Sequence, residues 1–303
     1  MSPPSRSSPA GEPSKPPVAA SDAQAAELEA IPDMQSRTVA ERFARRVEMR
    51  VPDCHNPRLR EAMKWVNAND ELYAYWVSAN VNAIERQGMS DHGPVHVKIV
   101  MNLAVRLLRL LMDGGVEPAV VTSFGLKRED AEVVVALAAL FHDLGMSIHR
   151  HDHESYSLFL AKDLLRDLLP RIYDARTASI LRSEVLHAII GHRSDGTPQT
   201  LEAGVVRIAD ALDMAKGRSR IPFEAGSVSI HSVSAAAVEQ VHLTPGQHKP
   251  VRIGIELSNS AGIFQLDQLF RNKLKGSGLE PYVELNASLA GDSEKRLFRH
   301  FQL

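Results

Sequence analysis

"VVVALAALFHDLGMSIHRHDHE", residues 133–154, runs from nine unbroken apolar residues into four of the chain's thirteen histidines, two aspartates and a glutamate. The apolar run 133–141 has no polar stripe at the helical period, so a helix built from it must be covered on every side. We expect a central helix over 129–143, stopped by Gly145. His142 and Asp143 then fall on its last turn, at the end of the best-buried element in the protein. A carboxylate in that position is costly unless a cation balances it. The residues alone leave two readings, a solvated histidine-rich loop or one wall of a metal site.

Working outward, "VKIVMNLAVRLLRLLM" at 97–112 spaces Lys98, Asn102, Arg106 and Arg109 by four, four and three residues. That spacing puts them on one stripe of a helix and leaves the other faces for the core. Gly114 and Gly115 follow as a stop signal. Further helices are expected over 154–168, 176–192 and 200–215, the last with Thr200 as N-cap and Glu202 in its first turn. After Pro222 the texture changes to short alternating or β-branched stretches at 227–233, 238–243, 251–257 and 282–289. Between the last two lies "FQLDQLFRNKLKGSG" (264–278), helical by its spacing and closed by Gly276 and Gly278. The expected fold is mainly α: a disordered tail (1–30), with six prolines before position 18; a helical domain (31–222); and a small α+β module (223–303). The apolar residues of 264–274 are expected to serve that module's own core, and its strands allow a homodimer.

The chain has 303 residues, 44% of them hydrophobic, with a formal charge of −2, which excludes a globally basic nucleic-acid binder while leaving room for a local basic patch. Its single cysteine, Cys54, forms no internal disulfide, and no start resembling a signal peptide is present, so a cytoplasmic location is expected. The longest apolar run is about half of the roughly 18 residues that a membrane-spanning helix requires. No membrane association is expected.

Other ligand-type residues lie in apolar contexts on separate expected helices: His96 in "SDHGPVHVKIV", His153 with Glu154, His187 and His192 in "VLHAIIGHR", and Asp210 in "RIADALDM". Asp210 interrupts an apolar face, where an unpaired charge would cost several kcal/mol. This ordered set resembles the HD-domain metal-dependent phosphohydrolases, whose signature is a His, then His-Asp, then often further histidines, then a late Asp. His96, His142, Asp143 and Asp210 match the four defining positions, and the match covers about 85–215.

The resemblance implies an HD-type helical bundle in which His96, His142, Asp143 and Asp210 hold a divalent metal. It further implies a second ion held with His153 and His192, or with His187 as a rival, and Asp143 as the bridge. Manganese, iron, cobalt, nickel, zinc and magnesium all suit such ligands. Two ions can clamp a phosphate and activate a water for attack at phosphorus, so no protein nucleophile is needed. The expected catalytic residues are Asp143 and Glu154, the latter orienting a histidine or carrying a proton. The expected substrate is a small phosphorylated molecule, a nucleotide or a phosphodiester.

Many relatives read His-Asp-x-Gly-Lys, whereas here Leu144, Gly145 and Met146 follow the pair. Arg150 stands as a replacement cation, and Lys216, Arg218 and Arg220 in "KGRSR" form a second candidate phosphate grip. A Gly-Tyr-Pro element is absent, which argues against the cyclic-dinucleotide phosphodiesterase branch. The alternative function is a regulatory protein that uses the metal-bearing pocket to sense a nucleotide or bind RNA; a purely structural metal domain is a third.

Overall fold

The computed structural model describes residues 46–52, 54–193, 195–214 and 237–289, together with positions 38, 41, 234 and 301–302. The expected tail at 1–30, the expected strand at 227–233 and the "KGRSR" cluster lie outside the described residues.

Asn56 starts α1 (Pro57–Ala68) by accepting the amides of Arg58 and Leu59. Asn69 does the same for Leu72 at the start of α2 (Asp70–Asn80), which widens into a π-helical turn, Val81–Arg86. Then come α3 (Pro94–Asp113), with proline at its first position, α4 (Ala119–Phe124) and α5 (Arg128–Phe141). After a 3-10 turn, Leu144–Ser147, the chain forms α6 (His153–Leu168), α7 (Ala175–Gly191) and α8 (Leu201–Leu212).

Every residue of α5 over 130–141 is buried, because α1, α3, α4, α7 and α8 all pack against it. The unbroken apolar run is the sequence counterpart of that all-round cover. The helix ends at Phe141, two residues before the expected limit of 143. Its last carbonyls, which no further helical turn satisfies, go to side chains instead. Trp76 Nε1 donates to Leu140 O (2.8 Å), His142 Nδ1 to Ala139 O (2.8 Å), and Ser157 Oγ to His142 O (2.6 Å).

On α3 the stripe of Lys98, Asn102, Arg106 and Arg109 is half-buried beside fully buried neighbours, as its spacing requires. Arg106 reaches the carbonyl of Leu243, tying the helix to the C-terminal sheet. Thr200 caps α8 by accepting from Ala203 N (3.2 Å). Glu202, in the first turn of α8, turns its carboxylate to the amides of Ala119 (3.1 Å) and Val120 (3.0 Å), so it caps the neighbouring α4. The helix ends at Leu212, short of the expected 215, because Asp213 leaves helical geometry.

The sheet has the order β1 (Val238–Pro245), β2 (Val251–Leu257), β3 (Val283–Leu289), β4 (Phe301–Gln302). β1 and β2 are antiparallel with Val241 opposite Ile255, β2 and β3 parallel with Ile253 opposite Leu285, and β3 and β4 antiparallel with Ala287 opposite Phe301. Val251, Ile253, Ile255 and Leu257 alternate inward along β2, the period-two pattern of a strand with one face on a core. The parallel pair is connected through a helical segment made of Gly262–Phe264, a π-helical stretch Gln265–Phe270, and Arg271–Leu274. Leu266 and Phe270 from this segment are fully buried, and the segment packs on α8. Helices and sheet share one continuous apolar core, which includes Leu137 and Ile208 as well as Ile253 and Leu285. Among the described residues, no helix is long and apolar enough to cross a membrane.

Candidate metal centre

Four helices converge where α5 ends. α3 brings His96 from its first turn, the segment after α5 brings His142 and Asp143, α6 opens with His153 and Glu154, His192 directly follows α7, and α8 brings Asp210 in its last turn. The turn between α5 and α6 is held from two sides. Asn82 donates to the carbonyls of Met146 (2.8 Å) and Ser147 (2.9 Å), while Ser157 Oγ accepts from Gly145 N (2.8 Å) as it donates to His142 O. Only glycine fits at 145: a Cβ there would overlap the His153 carbonyl and lie 2.6 Å from Ser157 N, both backbone atoms of α6.

The Nε2 atoms of His96 and His142 lie 3.3 Å apart, each 3.3 Å from Asp143 Oδ2 and 3.7 Å from Asp210 Oδ1. The other oxygen of Asp143 faces a different set, with Oδ1 3.2 Å from His153 Nε2 and 3.9 Å from His192 Nε2. Asp143 therefore stands between two groups of donors. Glu154 Oε2 is 3.3 Å from His153 Nδ1 on the outer side.

Each histidine is anchored through its other nitrogen. Nδ1 of His142 faces Ala139 O (2.8 Å), that of His192 faces Ile189 O (2.5 Å), that of His153 faces Arg150 O (3.0 Å), and that of His96 faces Asp213 Oδ2 (2.6 Å). Carbonyl and carboxylate oxygens only accept, so each Nδ1 carries a hydrogen and each Nε2 is turned inward. Metal-ligating histidines are held in this way.

The carboxylates and imidazoles of the cluster shift one another strongly. His142 is fully buried, which pulls its pKa down, yet the carboxylates of Asp143 and Asp210 outweigh burial and push it up to about 10. Burial pushes Asp143 and Asp210 up, but His142 for the first, and Lys273 with His142 for the second, hold both well below the usual carboxylate range. His153 is raised, since its bond to Asp143 outweighs burial; His192 is well below its ordinary value because of burial, next to His142 and Lys273. The donor chemistry fits a divalent ion. His96 Nε2, His142 Nε2, Asp143 Oδ2 and Asp210 Oδ1 make up a set of imidazole nitrogens and carboxylate oxygens, the donor types that first-row divalent ions take. Among the described residues, three sets of three donors lie close enough to hold an ion: His96, His142 and Asp210; His142, Asp143 and His192; and His153, Glu154 and His192.

Other expected residues lie elsewhere. His187 is outside these sets, and its Nε2 accepts the amide of Gln199 at 3.0 Å. Arg150 is exposed on the α5–α6 turn, its guanidinium 3.1 Å from the Nδ1 edge of His153. Lys216, Arg218 and Arg220 lie outside the described residues. Two residues escaped the sequence reading. Asp213 follows Asp210 by three positions, but nothing in "IADALDM" points to His96 as its partner. Lys273 comes from the C-terminal module, donating to His192 O (2.7 Å) and Asp210 Oδ2 (3.4 Å).

The family model for the HD domain matches residues 95–215, the stretch that supplies every donor named above. The chain belongs to the HD-domain superfamily of metal-dependent phosphohydrolases. The uncharacterized protein MJ1020 of Methanocaldococcus jannaschii is 40% identical over 235 residues, covering 78% of this chain and 90% of the relative. No solved structure matches. HD domains bind divalent metals, and the His/Asp cluster of this HD centre could hold such an ion.

Proposed function

We propose that this HD protein hydrolyses a phosphate ester, foremost a nucleotide or other phosphodiester, with water as the nucleophile and two divalent ions as cofactors. The observation that carries the reading is the position of Asp143, whose Oδ2 faces His96 and His142 and whose Oδ1 faces His153 and His192. His96, His142, Asp143 and Asp210 would hold one ion; Asp143, His153 and His192 would hold the other. Bound ions supply charge neutralisation for the phosphate and a water of lowered pKa.

The protein's share is to pre-position that chemistry. Asp143 links the two halves so that both would act on one phosphate, and the Nδ1 anchors hold each imidazole with Nε2 turned inward. Glu154, within hydrogen-bonding distance of the outer nitrogen of His153, would accept and pass on a proton in this reading. Arg150, exposed on the α5–α6 turn, would meet a substrate phosphate oxygen, and Lys216, Arg218 and Arg220, later in the chain than α8, keep a phosphate-binding role. His187, occupied by Gln199, is given no metal role. The single cysteine supports a cytoplasmic setting.

The test is turnover of bis(p-nitrophenyl) phosphate and p-nitrophenyl phosphate by the full chain with manganese, cobalt, nickel, iron, zinc or magnesium, followed by a nucleotide panel. Asp143→Ala is expected to abolish metal-dependent turnover while circular dichroism shows a retained fold. Activity indifferent to that change, or no turnover of any ester or nucleotide with any of the ions, would overturn the reading.

A further inference from the structure

The most open part of the centre is a pair of opposite charges. The side chains of His96 and His142 are 0% exposed and that of Asp143 4%, whereas Asp210 is 18% and Lys273 21% exposed. Lys273 lies outside the stretch matched by the HD family, on the last helical turn of the C-terminal module. Its ammonium nevertheless contacts a residue from each half of the centre, Asp210 through Oδ2 and His192 through the main-chain carbonyl.

The stem that delivers this ammonium is fixed to the same helix as Asp210. Arg207, one turn earlier on α8 and 2% exposed, donates through Nε to Lys273 O (2.9 Å) and through a terminal nitrogen to Asn272 O (3.5 Å). Its other terminal nitrogen donates to the carbonyls of Arg193 and Gly196, just beyond His192. One buried guanidinium thus ties together the helix carrying Asp210, the loop after His192 and the backbone of Lys273. A π-helical stretch, Gln265–Phe270, leads directly into the turn bearing Lys273; such irregular turns frequently mark functional positions.

We propose that Lys273 is a positioning residue of the metal centre: by holding Asp210 Oδ2 and the His192 carbonyl it directs Asp210 Oδ1 toward His96 and His142 and sets His192 at its distance from Asp143. This inference rests on the metal-centre reading given above. It makes the C-terminal α+β module a working part of the centre. The carboxylate has two oxygens, and with one engaged by an ammonium only the other is presented inward, so the side chain is oriented before any ion arrives. Partners of this kind behind a ligand typically affect metal affinity or activity by about 10–100-fold.

The experiment titrates the metal-free full chain with Mn2+ by isothermal calorimetry, for wild type, Lys273→Met and Lys273→Arg, alongside kcat and KM on the two p-nitrophenyl esters and thermal unfolding. Lys273→Met is expected to bind Mn2+ about tenfold more weakly and to lose kcat more than it changes KM, and Lys273→Arg is expected to recover most of both. A merely structural role would lower the melting temperature, leave the Mn2+ affinity of the folded fraction unchanged and show no rescue by arginine. Unchanged Mn2+ binding by Lys273→Met overturns the proposal. Tighter binding overturns it as well, because the charge would then act on the ion by repulsion. Should Lys273→Met not fold, Lys273→Gln is read by the same titration and the same criteria. Failure of the hydrolase reading is separate: wild type would bind Mn2+ yet cleave no ester or nucleotide with any of the six ions, and the titration would still decide the role of Lys273. Wild type that binds none of the six ions overturns both, and where it binds another of them in place of Mn2+ the same titration is read with that ion.

Discussion

Gly145→Ala tests the junction on which the second half of the centre depends. The added methyl group would overlap the carbonyl oxygen of His153 and lie 2.6 Å from the amide nitrogen of Ser157. Both atoms are main chain, so no rotamer change relieves the clash; the first turn of α6 must retreat or the 3-10 turn must unwind. Overpacking of this kind costs about 1–3 kcal/mol. Losing the bond from Gly145 N to Ser157 Oγ adds about 0.5–1.5 kcal/mol. The sum, about 1.5–4.5 kcal/mol, corresponds to a fall of roughly 3–18 °C in Tm for a domain of this size. The same retreat carries His153 away from Asp143 Oδ1, now 3.2 Å distant, while leaving His96 and Asp210 on helices that the methyl group does not touch. Urea or thermal unfolding should therefore show the loss of stability, and Mn2+ titration should show the ion associated with His153 and His192 weakened more than the other. A variant with the wild-type unfolding midpoint and its full complement of ions would refute the reasoning.

Asp213→Asn keeps the size and one acceptor oxygen beside His96 Nδ1 but removes the charge, so Mn2+ affinity or kcat should fall by about 10–100-fold with the fold retained; wild-type values in both would show that the carboxylate does not tune His96. Far from the centre, Glu284 accepts the amides of Gln247 (2.9 Å) and His248 (3.1 Å) and pairs with Arg252 (2.8 Å), and these contacts hold its pKa down to about 2 against an ordinary 4.5. The unfolded chain takes up a proton there at higher pH than the folded chain does. Glu284 therefore contributes stability above about pH 4.5 that is lost as the pH falls toward about 2. Thermal unfolding across that window should decline less steeply for Glu284→Gln than for wild type, and parallel declines would count against the assignment.

The elements legible in the sequence are those whose signal is local. The strand over 251–257 was readable to the residue because its side chains alternate between core and surface. The polar stripe of α3 was readable because it follows the helical repeat, and the family was readable from His96, His142, Asp143 and Asp210 in order. What was hidden depends on partners distant in the chain. The true end of α5 is set by Trp76 and Ser157, the first 64 residues from the carbonyl to which it donates. Glu202 reads as an ordinary first-turn acid until the amides of α4 are seen against it. Asp213 and Lys273 were hidden for the same reason: each has an unremarkable sequence neighbourhood, and each meets its partner only after the helices have packed.

The Arg207 hub has a practical consequence for where this protein can be cut. The HD match stops at residue 215, and a boundary placed there looks natural on paper. It would remove the acceptors at Asn272 and Lys273, strip α8 of the helical segment that packs on it, and leave Asp210 without its ammonium neighbour. A fragment trimmed to the family limits would thus be both fragile and miswired, and an inactive one would say nothing about the chemistry of the intact molecule.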